Sequence, residues 1–188
     1  MISLNSIAYI DDAKGRIWDI SAWFHNSDSM VTIRHKSANT RSPEPVIPPT
    51  KEEYEYRSRS YSGKYVVEVF STTRCGIDME AVKPAEANWS IQSPLFERAM
   101  LAPGEKELIL ATEYSKHSNL STLIWASKEA LAKALGDATN YEPTQLISPL
   151  AWYAKPHDAW AAEHQEFVTE NGQRLIIWLV TEKVPAQH

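Results

Sequence analysis

The sequence predicts a globular fold that mixes strands with helices, and three stretches carry that expectation. Trp125 to Gly136 is rich in Ala, Leu, Lys and Glu, the strongest helix formers, and stops at a glycine suited to a left-handed helix end. Tyr65 to Phe70 is an apolar run and Arg74 to Glu80 an alternating one, and both read as strands. After Gly136 three more strand segments follow, Thr144 to Ala154, Glu166 to Thr169 and Leu175 to Thr181, with Asn171-Gly172 marking a hairpin turn.

The remaining elements follow in chain order. Ile2 to Asp11 is apolar enough for a strand, closed by a turn at Asp11 to Gly15. Ile17 to Phe24 fits either a strand or a short helix. Met30 to Lys36 alternates, with Val31, Ile33 and His35 on one face and Thr32, Arg34 and Lys36 on the other. His35 has no second His or Cys at ligand spacing and reads as a half-buried strand residue. Prolines at 43, 45, 48 and 49 exclude regular structure between Ala38 and Lys51. Tyr54 to Phe70 reads as two strands around Ser60-Tyr61-Ser62-Gly63. Leu95 to Leu101 is a short apolar helix. A second helix opens at Pro103-Gly104-Glu105, with acidic residues where the helix dipole favours them. Asn119 or Ser121 caps the central helix, so that Trp125 to Gly136 is its C-terminal part.

Two of these elements bear chemistry. On the central helix, at about 100° per residue, Ile124, Leu131 and Leu135 share one stripe, a core face. Trp125, Glu129, Lys133 and Gly136 share a neighbouring ridge. A carboxylate and an ammonium one turn apart beside an indole suit ligand chemistry, and they suit an ordinary surface ion pair equally well. In the strand Arg74 to Glu80, period two sends Ile77 and Met79 to one side and Gly76, Asp78 and Glu80 to the other. Two carboxylates on one strand face repel unless something positive lies between them. Gly76 leaves room for a ligand to approach the backbone. The pair, with a third carboxylate on a nearby helix, suits a hard, oxygen-seeking cation such as Mg²⁺.

Composition narrows the class. The 188 residues suffice for one domain with a sizeable core or two small fused ones, and 43% hydrophobic content with seven tryptophans argues for a packed globule. A formal net charge of −5 gives no reason to expect nucleic-acid binding. The lone Cys75 excludes an internal disulfide and reads as a buried structural thiol, in keeping with a reducing cytoplasm. No run approaches ~18 apolar residues, so no membrane span is expected.

Gly76-Ile77-Asp78-Met79-Glu80, followed by Trp125-Ala126-Ser127-Lys128-Glu129-Ala130 and Lys133-Ala134-Leu135-Gly136, resembles the 4′-phosphopantetheinyl transferases. Their pattern is a G-[IV]-D-[IV]-E strand and then a W-[ST]-x-K-E-[AS]-x-x-K-x-x-G helix. Met79 and Ala126 are the departures within it. The resemblance implies an α+β fold of two similar subdomains, each with a small antiparallel sheet packed on helices, here 1–72 and 73–188. It implies transfer of the phosphopantetheine arm of coenzyme A to a serine of an apo acyl or peptidyl carrier protein, releasing adenosine 3′,5′-bisphosphate. Asp78, Glu80 and Glu129 would hold Mg²⁺, and Glu129 would also take the serine proton. Lys133 would lie against the phosphates, with Lys128 a second phosphate contact, and Trp125 would pack the helix on the sheet. The chain would act as a monomer or homodimer.

The N-terminal half departs further. Longer members of the family carry an N-terminal helix that supplies cations to coenzyme A, and residues 1–30 hold no counterpart. Arg34, Lys36 and Arg41 are candidate replacements. Where the family has S-H-S-G this chain has Ser60-Tyr61-Ser62-Gly63, so a tyrosine stands where a histidine would meet phosphate. Arg59, on the face of Tyr61, is a substitute cation; alternatively Arg57 and Arg59 mark a solvent-exposed edge strand. For the carrier protein, Trp89, Ile91, Leu95, Phe96 and Arg98 offer an apolar surface with a cation, or else pack the core. The alternative function is a catalytically degenerate relative that binds a carrier protein or nucleotide.

Overall fold

The computed structural model describes residues 8–10, 17–25, 29–35, 54–82 and 89–184. Lys36, Arg41, the proline-rich stretch and the turn at Asp11 to Gly15 lie outside them. The strands are β1 (Ala8–Ile10), β2 (Ile17–Asp19), β3 (Met30–His35), β4 (Tyr56–Ser62), β5 (Tyr65–Ser71) and β6 (Cys75–Ala81). Helices α1 (Pro94–Met100), α2 (Glu105–Leu110) and α3 (Leu120–Leu135) precede the final hairpin of β7 (Trp160–Thr169) and β8 (Arg174–Glu182). They form two four-stranded sheets, ordered β2-β3-β5-β4 and β1-β7-β8-β6. Pairing is antiparallel throughout except for β1, which adds parallel to β7. The fold is α+β.

Burial on both faces explains the unbroken apolar run of β8. Leu175, Ile177 and Leu179 join Ile77, Met79, Phe167, Val31, Ile33 and Val67 in a core shared by the two sheets. Ile176, Trp178 and Val180 point the other way, into a second core with Leu123, Ile124 and Leu131 of α3. A strand with helix on one side and sheet on the other has no polar face to keep. The two sheets also adjoin at their edges, where the Ile77 N–H of β6 donates to Ser58 Oγ of β4 at 3.1 Å. The chain passes from one sheet to the other between Ser71 and Cys75, and β1 crosses back to the C-terminal sheet.

Several sequence expectations change in the fold. Thr144 to Ala154 is not a strand but two 3₁₀ turns, Pro143–Gln145 and Pro149–Tyr153. A proline opens each turn, and Ser148 Oγ caps the second by accepting from the Leu150 N–H. Ile17 to Phe24 is both of its alternatives, a strand and then a 3₁₀ turn at Ser21–Trp23. β4 continues through Ser62, so that the turn is confined to Gly63 and Lys64. Asn119 stands at the N-cap of α3 without a side-chain cap bond. Leu135, placed on the core stripe, is 39% exposed because α3 ends there. Among the described residues no helix is long and apolar enough to cross a membrane.

The helix-side face of β7 holds a half-buried histidine. His164 stacks on Trp178 of β8 with ring centroids 4.7 Å apart, and Tyr153 Oη lies 3.3 Å from its Nδ1. Burial pushes the imidazole down to about 4, and His117 acts in the same direction. The ordinary value is higher, so between about 6.5 and 4 the unfolded chain binds a proton that the folded chain refuses. Stability is therefore expected to fall as pH drops through that window, by about 3 kcal/mol at its acid end. Urea unfolding of the parent and His164→Phe near neutral pH and near the acid end checks this. The variant should lose less on acidification.

Candidate active site

The site lies where α3 crosses β6. Gly76 permits the crossing: a Cβ there would stand 2.0 Å from Ala130 O and 2.4 Å from Ala134 N. The space beside Gly76 is thus filled by helix backbone, not left for a ligand as the strand pattern suggested. With α3 so close, Lys133 Nζ reaches β6 and donates to Asp78 Oδ1 at 2.6 Å and to Ile77 O at 3.2 Å. From β4, Ser60 Oγ donates to the same Asp78 oxygen at 2.7 Å. The other oxygen, Asp78 Oδ2, is buried without a hydrogen-bond partner.

Glu129 lies one turn before Lys133 and is half-buried. Tyr141, in the loop after α3, donates its hydroxyl to Glu129 Oε1 at 2.5 Å. Burial pushes the Tyr141 phenol well above its ordinary value. The bond to Glu129 and the negative charges of Glu129, Asp78 and Glu80 push in the same direction. All three carboxylates therefore act on one hydroxyl. Glu80 is half-buried two residues beyond Asp78 on the same strand face.

A hard cation fits the chemistry of these donors. Asp78, Glu80 and Glu129 are all oxygen ligands, and Asp78 Oδ2 is an orphaned buried oxygen that a cation would satisfy. Among the described residues no three metal-ligating groups converge on one point. Lys133 lies against Asp78 and Tyr141 against Glu129 instead.

Lys128 requires a correction. Expected at a phosphate, it is wholly buried and paired with Glu105 Oε2 at 2.6 Å. It also donates to Met100 O, Pro143 O and Leu146 O at 2.5, 2.8 and 2.6 Å. Burial pushes the ammonium below its ordinary value, and Glu105 acts in the opposite sense. An ammonium has three donors, and these four acceptors take them all. Glu105 in turn accepts from the Ala102 N–H and the Ser148 N–H, both at 2.6 Å. Lys128 is thus the knot that ties α3 to the segments before and after it. Trp125 packs on the helix-side core and faces Trp89, ring centroids 6.4 Å apart.

The N-terminal candidates gather elsewhere. Arg34, Arg57 and Arg59 all reach the buried Glu68 of β5, with Arg34 Nη2 at 3.3 Å and Arg59 Nε at 2.8 Å. Arg59 Nη1 also donates to Tyr61 Oη at 2.8 Å, which joins the two residues expected to share a face. Alternation along β4 sends Arg59 and Tyr61 to the side opposite Ser60, which touches Asp78. The solvent-exposed edge reading of Arg57 and Arg59 also gives way: the carboxylate organises them, and the outer edge of β4 meets β6. In the carrier-protein patch, Ile91 and Phe96 belong to the core, whereas Trp89 and Leu95 are 41% and 55% exposed.

Sequence reasoning missed Ser60 and Tyr141. Ser60 sits inside the quoted Ser60-Tyr61-Ser62-Gly63 stretch, but only the β4–β6 contact reveals its target. Tyr141 falls in an irregular loop, where no periodicity could mark it.

Residues 74–180 match the family model of the 4′-phosphopantetheinyl transferase superfamily. No curated protein matches the chain. The matched segment runs from the start of β6 into β8 and contains Asp78, Glu80, Glu129 and Lys133. It covers more than half of the chain, which belongs to the 4′-phosphopantetheinyl transferase superfamily.

Proposed function

We propose that this protein transfers the phosphopantetheine arm of coenzyme A to a serine of an apo acyl or peptidyl carrier protein, with Mg²⁺ as cofactor. The carrying observation is Asp78: a buried carboxylate with one oxygen held by Lys133 and Ser60 and the other unpartnered. A buried unsatisfied carboxylate oxygen is costly in a purely structural role, and a site for a hard cation accounts for it.

Asp78, Glu80 and Glu129 would hold the metal, which when bound supplies positive charge against the pyrophosphate. The chain's own residues do the rest. Lys133 carries the permanent charge nearest Asp78 and can neutralise charge on the departing phosphate. Glu129 keeps one oxygen on Tyr141; the other would face the metal and, with its second lone pair, would take the serine proton directly or through water. Positioning accounts for most of the rate, because displacement at a pyrophosphate asks little covalent chemistry of the protein. Arg34, Arg59 and Tyr61, gathered around Glu68 across β4 from Asp78, would reach only anionic groups of coenzyme A remote from the metal, with Lys36 a further candidate there, and Trp89, Leu95 and Arg98 are candidate contacts for the carrier protein.

The test is intact-mass analysis of an apo carrier protein incubated with this protein, coenzyme A and Mg²⁺. The parent should add one phosphopantetheine arm, and Asp78→Ala should add none while remaining folded by circular dichroism. Transfer that persists in both Asp78→Ala and chelator would remove the metal assignment. A parent that never transfers to any of several carrier proteins would favour a binding role.

A further inference from the structure

The loop that follows α3 carries a side chain to which neither half of the family pattern gives a role. Tyr141 donates to Glu129 Oε1 at 2.5 Å. The loop is built to bring it there. At one end Gly136 takes φ 84, and the Asp137 N–H donates to Ala132 O at 2.9 Å, which turns the chain sharply off the helix. At the other end Lys128 fixes Pro143 O and Leu146 O. Glu129 stands seven residues before Gly136, about 10 Å along the axis at 1.5 Å per residue. The five steps from Gly136 to Tyr141 span at most about 17 Å when extended. The return chain is therefore long enough to bring Tyr141 back level with Glu129.

Such a hydroxyl does something definite for a carboxylate. A glutamate on a helix face has three side-chain torsions to order before it can ligate, and ordering them has an entropic cost. A donor on one oxygen sets the plane of the carboxylate beforehand and leaves the second oxygen for another partner. Partners of this kind orient ligating groups in metal sites, and their loss typically weakens metal binding about 10–100-fold. Tyrosine suits the task because its ring has few rotatable bonds and its hydroxyl supplies a single donor.

We propose that Tyr141 is a positioning residue that holds the Glu129 carboxylate ready for a divalent cation. The proposal rests on the reading of Asp78, Glu80 and Glu129 as the metal set. A purely structural Tyr141, tying loop to helix, would change thermal stability and leave cation affinity in the folded protein untouched.

Mn²⁺ binding to the full chain without coenzyme A, followed by electron paramagnetic resonance, distinguishes these roles when thermal melts are recorded beside it. The parent should bind Mn²⁺, and Glu129→Gln should lose most of that binding, which tests the metal set by itself. Tyr141→Phe should stay folded and raise the Kd for Mn²⁺ about 10–100-fold. Its transfer rate should recover toward the parent's at saturating Mg²⁺. Tyr141→Met, which removes the hydroxyl with different packing, should show the same loss. Equal Kd values for parent and Tyr141→Phe overturn the proposal, even when Glu129→Gln loses the metal. A parent that does not bind Mn²⁺ overturns the metal reading and the proposal with it. If both Tyr141 variants fail to fold, the residue is structural and the proposal falls.

Discussion

Replacing Gly76 by alanine is expected to break the packing of α3 on its sheet and to destabilise the whole protein. The added methyl would stand 2.0 Å from Ala130 O and 2.4 Å from Ala134 N, both backbone atoms of α3. A side chain in the way could change rotamer, but a helix backbone can yield only by moving as a unit. Overpacking usually costs 1–3 kcal/mol, and a clash with main chain belongs at or above the upper end, so about 3 kcal/mol or more is expected. In a chain of this size that lowers Tm by on the order of 10 °C. Moving α3 away from β6 would also part Lys133 from Asp78. Thermal unfolding by circular dichroism reads the loss. A Gly76→Ala protein that melts like the parent would mean that α3 sits farther from β6 than described.

Lys128→Met is expected to be at least as damaging, for an electrostatic reason. It removes the cation paired with the fully buried Glu105 carboxylate and leaves the carbonyls of Met100, Pro143 and Leu146 without their shared donor. Breaking one side of a buried ion pair costs about 3–5 kcal/mol, because the remaining charge is stranded in low dielectric. Adding Glu105→Gln should restore part of the loss, since a neutral amide keeps an acceptor for Ala102 N–H or Ser148 N–H without a stranded charge. Denaturant unfolding of the two single variants and the double gives the coupling directly. A phosphate contact would behave otherwise: Lys128→Met would keep its stability and raise the KM for coenzyme A.

The sequence by itself determined the local geometry around the candidate residues. Alternation in Cys75 to Glu80 put Asp78 and Glu80 on one side and Ile77 and Met79 on the other, and the fold keeps them so. The four-residue step from Glu129 to Lys133 and the stop at Gly136 likewise follow from helix periodicity and backbone conformation, which neighbours in sequence specify. Where proline chemistry was overlooked, at Pro143 and Pro149, a strand was expected and 3₁₀ turns form.

Only the tertiary structure decided what each of those side chains meets. Lys128 and Lys133 are both lysines on one helix, five residues apart. One is enclosed by four acceptors from α1, α2 and the segment after α3, and the other reaches a strand carboxylate. Gly76 makes room for helix backbone rather than ligand, a fact about α3 and not about β6. Arg34, Arg57 and Arg59 look like free cations in the sequence, yet all converge on the buried Glu68. Tyr141 and Ser60 reach the carboxylates from a loop and from the other sheet. Periodicity reports which residues share a face. Partners are chosen by long-range packing, which has no period in the chain.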